Sequence, residues 1–253
     1  MAIDFSAANS EITIPSDTYF ELQSDISWAM WVNVANFSTF QYAGTIYGNF
    51  FQTFGKSGAT NRNSGYNFRS KQVSGVNYFG AWIRQTNVTW IYCWTPATDT
   101  YNTNTWYHIC ARYYYFDVGL YTLDLFVNGV LRNTAGGTTV PSYEATTDII
   151  RLAYCYDDHW EGKEAEFAIW NVTLTDTEIL QLYSPFKRGM PLQIQSANLL
   201  GYWPLDDFGA SGLVASGANT IINRGPKGVH GTPVNSPTGV GDPISNRGRI
   251  IVV

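Results

Sequence analysis

Apolar and polar residues alternate along most of the chain in short runs: EITI at 11–14, ISWAMWVN at 26–33, YNFRS at 66–70, YFGAWIRQ at 78–85, VTWIYCW at 88–94, WYHICARYYY at 106–115, TLDLFVNG at 122–129, IIRLAYCY at 149–156 and EFAIWNV at 166–172. A period of two places successive side chains on opposite faces of a strand, and clusters of Gly, Asn, Ser and Thr separate the runs as turns. The pattern predicts an antiparallel β-sandwich. Within it, Asn128-Gly129 suits a two-residue type I′ hairpin turn, because both central residues need positive φ. One short helix is expected at TLTDTEILQLY, 173–183, where Thr175 and Glu178 form a capping box, Ile179, Leu180 and Tyr183 can make a small apolar face, and Pro185 stops the helix.

The pattern changes after Asp206. Gly, Pro, Asn and Ser dominate and large apolar residues become scarce until RIIVV closes the chain. Composition alone reads this stretch as a linker or tail. Charged residues are only 14% and aromatics 16% of the 253 residues, which suits half-buried pleated surfaces. With a net charge of -5 and no run of Lys or Arg, the chain gives no electrostatic footprint for nucleic acid and no basic membrane patch. The first residues, MAIDFSAANSEITIP, show neither the basic nor the apolar region of a secretory signal, and no apolar run reaches membrane-spanning length. Cys93, Cys110 and Cys155 are odd in number and sit in apolar runs, so they read as buried free thiols made in a reducing compartment.

Taken in order, these segments resemble the laminin G-like family of concanavalin A-like jelly rolls. The resemblance is carried by Ile14-Pro15 and Trp31-Val32 in the first third, by Trp106, His108, Ala111, Asn128 and Gly129 in the strand and hairpin at the centre, and by Gly162, Glu166, Trp170, Asn171, Leu174, Asp176 and Glu178 in the strand and helix that follow. It covers about residues 3 to 183. It implies an all-β, concanavalin A-like antiparallel β-sandwich with one short helix. NLLGYWPLDD, followed by NRGPKGVHGTPV, looks like the family's usual first strand and next loop, displaced to the end of the chain. The resemblance therefore implies that residues 1–207 form one sandwich, with 198–207 as a permuted closing strand. Residues 208–253 are then expected to be a Gly/Pro-rich arm docked on copies of the chain or on neighbours.

Glycoside hydrolases also use this fold, recognised by carboxylates that alternate along one strand. Here the candidates are Glu161, Glu164 and Glu166, of which 164 and 166 would share a face in a regular strand. The family's acid before Glu166 is replaced by Ala165, and no central Asp is present, so no catalytic residue is assigned. Asp157, Asp158, His159, Glu161 and Glu164 gather in one expected loop, and hard oxygen ligands on a rim loop hold Ca²⁺ in several relatives of this fold. Asp157, Asp158 and Glu161 are the candidate ligands, and no other cofactor is implied. His108 and His230 read as structural. Trp82, Trp90, Trp94, Tyr101 and Tyr113 to Tyr115 could supply rings that stack on sugars, and Asn36, Asn87 and Asn171 begin sequons read as chance.

Three functions follow. The resemblance points first to a non-catalytic structural or adhesive module on the surface of an assembly, such as a phage capsid decoration or fibre protein made in a host cytoplasm. Its partners would be its own copies or other virion proteins, and cell-surface glycans. The second is a free carbohydrate-binding lectin-like domain, and the third a glycosidase.

Overall fold

The computed structural model describes residues 2–6, 10–15, 17, 20, 25–37, 41–42, 45–53, 65–84, 90–117, 120–137, 149–155, 158–159, 161–184, 190–206, 217–235 and 237–240. In chain order the strands are β1 (Ala2–Asp4), β2 (Glu11–Ile14), β3 (Ile26–Val34), β4 (Gln41–Tyr42), β5 (Thr45–Thr53), β6 (Gly65–Val73), β7 (Val76–Arg84), β8 (Trp90–Trp94), β9 (Trp106–Asp117), β10 (Leu120–Val127), β11 (Val130–Gly137), β12 (Ile150–Leu152), β13 (Tyr154–Cys155), β14 (Asp158–His159), β15 (Gly162–Trp170), β16 (Leu199–Trp203), β17 (Thr232–Val234) and β18 (Thr238–Val240), with one helix, α1 (Asp176–Tyr183), after β15. The first sheet runs β11-β10-β9-β3-β15-β1-β18, with β16 also on β15; the second runs β17-β2-β12-β5-β6-β7-β8, with β4 on β5. All the pairings are antiparallel. The expected β-sandwich with one short helix is the observed fold.

Alternation builds the core. In β3, Trp28, Met30 and Val32 enter the main core between the sheets, where they join Tyr66, Phe68, Phe79, Ile109, Tyr113, Leu123, Leu125, Phe167, Ile169 and Trp203. The intervening Ala29 belongs to a second cluster with Phe126, Trp170, Ile179, Leu182, Met190, Ile194 and Tyr202. This second cluster is the outer face of the first sheet, closed by α1 and by the turns at Met190–Leu192 and Ser196–Asn198. The helix carries the expected capping box, with the Thr175 side chain accepting from Glu178 N and the Glu178 carboxylate accepting from Thr175 N. Its buried face differs from the expectation: Ile179 and Leu182 are buried while Leu180 is 54% exposed, because the chain from 190 to 194 covers the side that residue 182 faces. Asn128 and Gly129 both have positive φ, +53° and +75°, as the turn requires.

β3 pairs with the whole of β15, so β15 has one edge left, and two segments share it. β1 pairs at Lys163 and Glu164, and β16 pairs from Phe167 to Trp170. Trp203, Leu200 and Leu205 lie in the main core. The Arg224 N–H donates to Tyr202 O at 2.7 Å, Asn223 Oδ1 accepts from Tyr202 N and Gly225 N, and Trp203 Nε1 donates to Val229 O. A side chain at 225 would stand 3.0 Å from Tyr202 N, so this close approach favours glycine.

The stretch expected to be an arm differs from that expectation over 217–240. β17 pairs with β2 in the second sheet, β18 pairs with β1 in the first, and Ile221 is fully buried in the main core. The physical reason is that β1 and β2 are short strands with unpaired edges, and backbone hydrogen bonding there needs few apolar side chains. Composition therefore under-reports this segment. Residues 241–253, including RIIVV, lie outside the described residues.

Candidate functional site

The outer face of the first sheet is covered beneath α1, whereas that of the second carries an aromatic surface on β6, β7 and β8. Phe68, Phe79, Ala81, Ile83, Ile91 and Cys93 point into the main core, and their alternates therefore point outward. Register places Asn67, Trp82 and Tyr92 in one row, Arg69, Gly80 and Trp94 in the next, and Lys71 beside Tyr78 in a third. The three strands span roughly 10 Å, room for a short oligosaccharide.

Gly80 sets the shape of this surface. A Cβ there would stand 2.5 Å from the Trp94 ring, so the indole lies directly over the backbone at 80, in space that only glycine leaves open. Trp82 stands edge-on to Trp94, with centroids 5.9 Å apart and planes at 90°, and it is tilted against Tyr92 at 5.5 Å. The Arg69 guanidinium sits 3.6 Å over Trp82, and Lys71 Nζ sits 4.0 Å over Trp94 and 5.0 Å from Tyr78. Arg69 Nε donates to Asn67 Oδ1 at 3.3 Å, and Asn133 Nδ2 of β11 donates to Trp94 O at 2.8 Å, tying the edge strand in place. Burial pulls the Lys71 ammonium below its ordinary pKa. Tyr92 is 55% exposed. Rings held this way could offer apolar faces and edges to the C–H surfaces of a sugar, with the ammonium and guanidinium as donors for its oxygens, while Asn67, 2% exposed, anchors Arg69 from beneath.

Of the rings expected as sugar platforms, Trp82 and Trp94 lie on this face. Tyr101 and Tyr113 are core residues, Tyr115 is half-exposed at the far end of β9, and the Trp90 side chain lies outside the described residues. Tyr78, Tyr92, Arg69 and Lys71 were not among the sequence candidates. The alternation of Ile91 and Cys93 already implied that Tyr92 points outward; no sequence signal told which sheet face remains open.

Glu164 and Glu166 do not share a face, which corrects the expectation for a regular strand. The pairing of β15 with β3 shifts register between Ala165 and Ala168, and Glu166 adopts φ +55°. This β-bulge turns the strand over. Glu164 is fully buried at the register position of Ile3 and Val32, both residues of the main core. Glu166 instead accepts from the Tyr202 hydroxyl on the covered outer face and lines a small cavity with Ala29, Trp31, His108, Leu182, Met190 and Pro191. His108 is buried there against Trp31, and burial lowers its pKa to about 3, so it is a neutral structural residue. His230 Nδ1 accepts from Asn223 N and holds the loop that seals β16.

The expected Ca²⁺ loop is described only in part. Glu161 is exposed and Asp158 pairs through its backbone with Cys155, but Asp157 and the Asp158 side chain lie outside the described residues. Among the described residues no three His, Cys, Asp or Glu side chains converge as metal ligands. Cys93 and Cys110 are free, buried thiols, and burial pushes Cys93 up to about 12; the Cys155 side chain is not among those described. No helix among the described residues is long and apolar enough to cross a membrane.

Two packed antiparallel sheets, one with a helix-covered outer face and one whose outer face carries Trp82, Trp94 and, exposed among the described residues, Tyr92, define a lectin-like jelly roll. The chain belongs to the concanavalin A-like lectin/glucanases superfamily, whose Laminin_G_3 pattern matches residues 6–180. Comparison with curated proteins found no match. Among solved structures, the chain is similar to the heptameric SAP-like pentraxin of Limulus polyphemus, with TM-score 0.54 and 12% identity over 73% of this chain and 82% of the pentraxin. It is also similar to a Bacteroides ovatus protein described as a candidate carbohydrate-binding protein, with TM-score 0.56 and 16% identity over 95% of this chain and 61% of that one. The botulinum neurotoxin serotype D binding domain gives TM-score 0.50 and 13% identity over 70% of this chain and 40% of its own. At these identities the likeness is one of fold.

Proposed function

We propose that this chain is a non-catalytic carbohydrate-binding module whose ligand face is the outer surface of β6, β7 and β8. The observation that carries the reading is Trp94 laid over Gly80 beside Trp82 and the exposed Tyr92, with Arg69 and Lys71 among them. The splitting of Glu164 and Glu166 onto opposite faces supports a role without glycoside hydrolysis, since that chemistry needs two carboxylates facing one bond. The Bacteroides ovatus relative, described as a candidate carbohydrate binder, supports the same class. A broad glycan array is the test. Wild-type protein binds a defined subset of sugars, and Trp82→Ala with an unchanged melting temperature loses at least about ten-fold in affinity, or 1.4 kcal/mol. Absence of binding to any sugar refutes the reading.

A second reading has its own observation. At the end of the β9–β10 hairpin Phe116 is 73% exposed, with Tyr115 at 46% and Leu120 at 45%, an apolar tip suited to packing on a protein partner. This supports an adhesive or structural module on an assembly such as a phage particle. Docking through the C-terminal arm expected at 208–253 would exclude β17, β18 and Ile221, which are occupied within the sandwich. Native mass measurement tests it: a discrete oligomer lost in Phe116→Ser favours assembly, and a monomer across the micromolar range opposes it.

A further inference from the structure

We propose that the ligand of the β6–β8 face is an anionic sugar, a pyranose bearing a carboxylate or sulfate that Lys71 receives beside Trp94 and Trp82. This rests on the reading of that face as a glycan site and names the class of glycan.

In a chain of net charge -5, the arginines at 112, 132, 151 and 224 each stand against a carboxylate. Lys71 does not: among the described residues its neighbours are the Trp94 and Tyr78 rings. Such contacts stabilise a cation by about 0.5–2 kcal/mol and leave N–H donors for an oxygen acceptor. A charge-assisted hydrogen bond to a carboxylate or sulfate is shorter and roughly twice as strong as a neutral one. Burial has already stripped part of the water from the ammonium and lowered its pKa, so an arriving anion displaces less solvent.

Arg69 lies two residues away on the same strand, roughly 6.6 Å along it, and its guanidinium is spread over Trp82. Lys71 as a point charge and Arg69 as a flat fork therefore flank the two indoles, and Tyr92 completes the row on the exposed side. Two cations are too few to track a phosphodiester chain, and the net negative charge opposes a long polyanion. A single acidic substituent on a sugar ring matches both the charge count and the aromatic floor.

The test is calorimetric titration with two matched pairs, oligogalacturonate against its methyl ester and sulfated against desulfated chondroitin oligosaccharide, beside an array of acidic and neutral glycans. In at least one pair, or among array sugars differing only in an acidic group, the charged member binds at least about ten-fold tighter, and this advantage shrinks as salt rises. Lys71→Gln removes the advantage, while Lys71→Arg, with matched melting, keeps part of it. The pair that responds identifies carboxylate or sulfate as the group received. Affinity for the charged sugar also falls at alkaline pH, as Lys71 loses its proton below the ordinary lysine range. Equal binding of charged and neutral partners, or an unchanged advantage in Lys71→Gln, overturns the anionic assignment and leaves the glycan face standing. If no glycan of either kind binds, both readings fall.

Discussion

His108 shows how one buried side chain couples the fold to pH. Its folded pKa is lowered by burial to about 3 from 6.5, so between these values the unfolded chain holds a proton that the folded chain refuses. Stability therefore rises with pH through this window and is lost as pH falls below about 6.5, by up to several kcal/mol. Denaturation of His108→Asn across pH 3 to 7 is expected to show a flatter profile than wild type; an equal slope contradicts the burial account. Asp124 gives a second residue-scale test. It is buried, accepts from Arg112 Nε at 2.8 Å and from the Thr134 hydroxyl, and Arg112 reaches on to Leu174 O and Asp176 at the helix start. Asp124→Asn leaves the guanidinium without its buried counter-charge and is expected to cost about 3–5 kcal/mol in chemical denaturation. At this scale the sequence was half-readable. Alternation showed that Trp28 and Trp31 face opposite ways, and the capping box at Thr175 and Glu178 was plain. That Tyr92 is open while Tyr101 is core depends on what the rest of the chain covers, which no local pattern carries.

Strands followed the period-two pattern because each such run is half of a two-sided surface, and β2, β3, β6 to β10, β12 and β15 lie where alternation put them. The bulge at Glu166 was invisible, because a single residue at positive φ leaves the apolar pattern on either side intact and only inverts its sense. β17 and β18 were also hidden: three-residue strands that contribute backbone rather than side chains carry no hydrophobic signature. Their role is testable. Ending the chain after Asp207 keeps β16 but removes Ile221 from the core, unpairs the outer edges of β1 and β2, and leaves the Trp203 indole N–H without its acceptor. Loss of the Ile221 side chain alone costs about 2–5 kcal/mol. The expected outcome is insoluble protein, whereas ending after Val240 leaves a folded one. A soluble truncation at 207 with wild-type melting contradicts the placement of β17 and β18.

At the scale of the whole molecule the two outer faces differ, and the second is the one proposed for recognition. One is sealed by α1 and the turns after it, and the other displays Trp82, Trp94 and Tyr92. Metal is expected to play no part in this division. Melting in EDTA and in millimolar Ca²⁺ should agree, whereas a rise with Ca²⁺ would establish binding at the loop containing Asp157, Asp158 and Glu161. Gly80 links the fold to the proposed ligand face, since a methyl at that position displaces the Trp94 ring. The outer face of β6, β7 and β8 is proposed to bind sugar. The most direct measurement is glycan affinity in wild type and in Gly80→Ala, with folding checked by melting. Selective sugar binding by wild type is expected, with at least a ten-fold loss, about 1.4 kcal/mol, in a variant that still folds. Glycan binding at full strength in a folded Gly80→Ala protein with its Trp94 ring displaced would contradict sugar binding at this face.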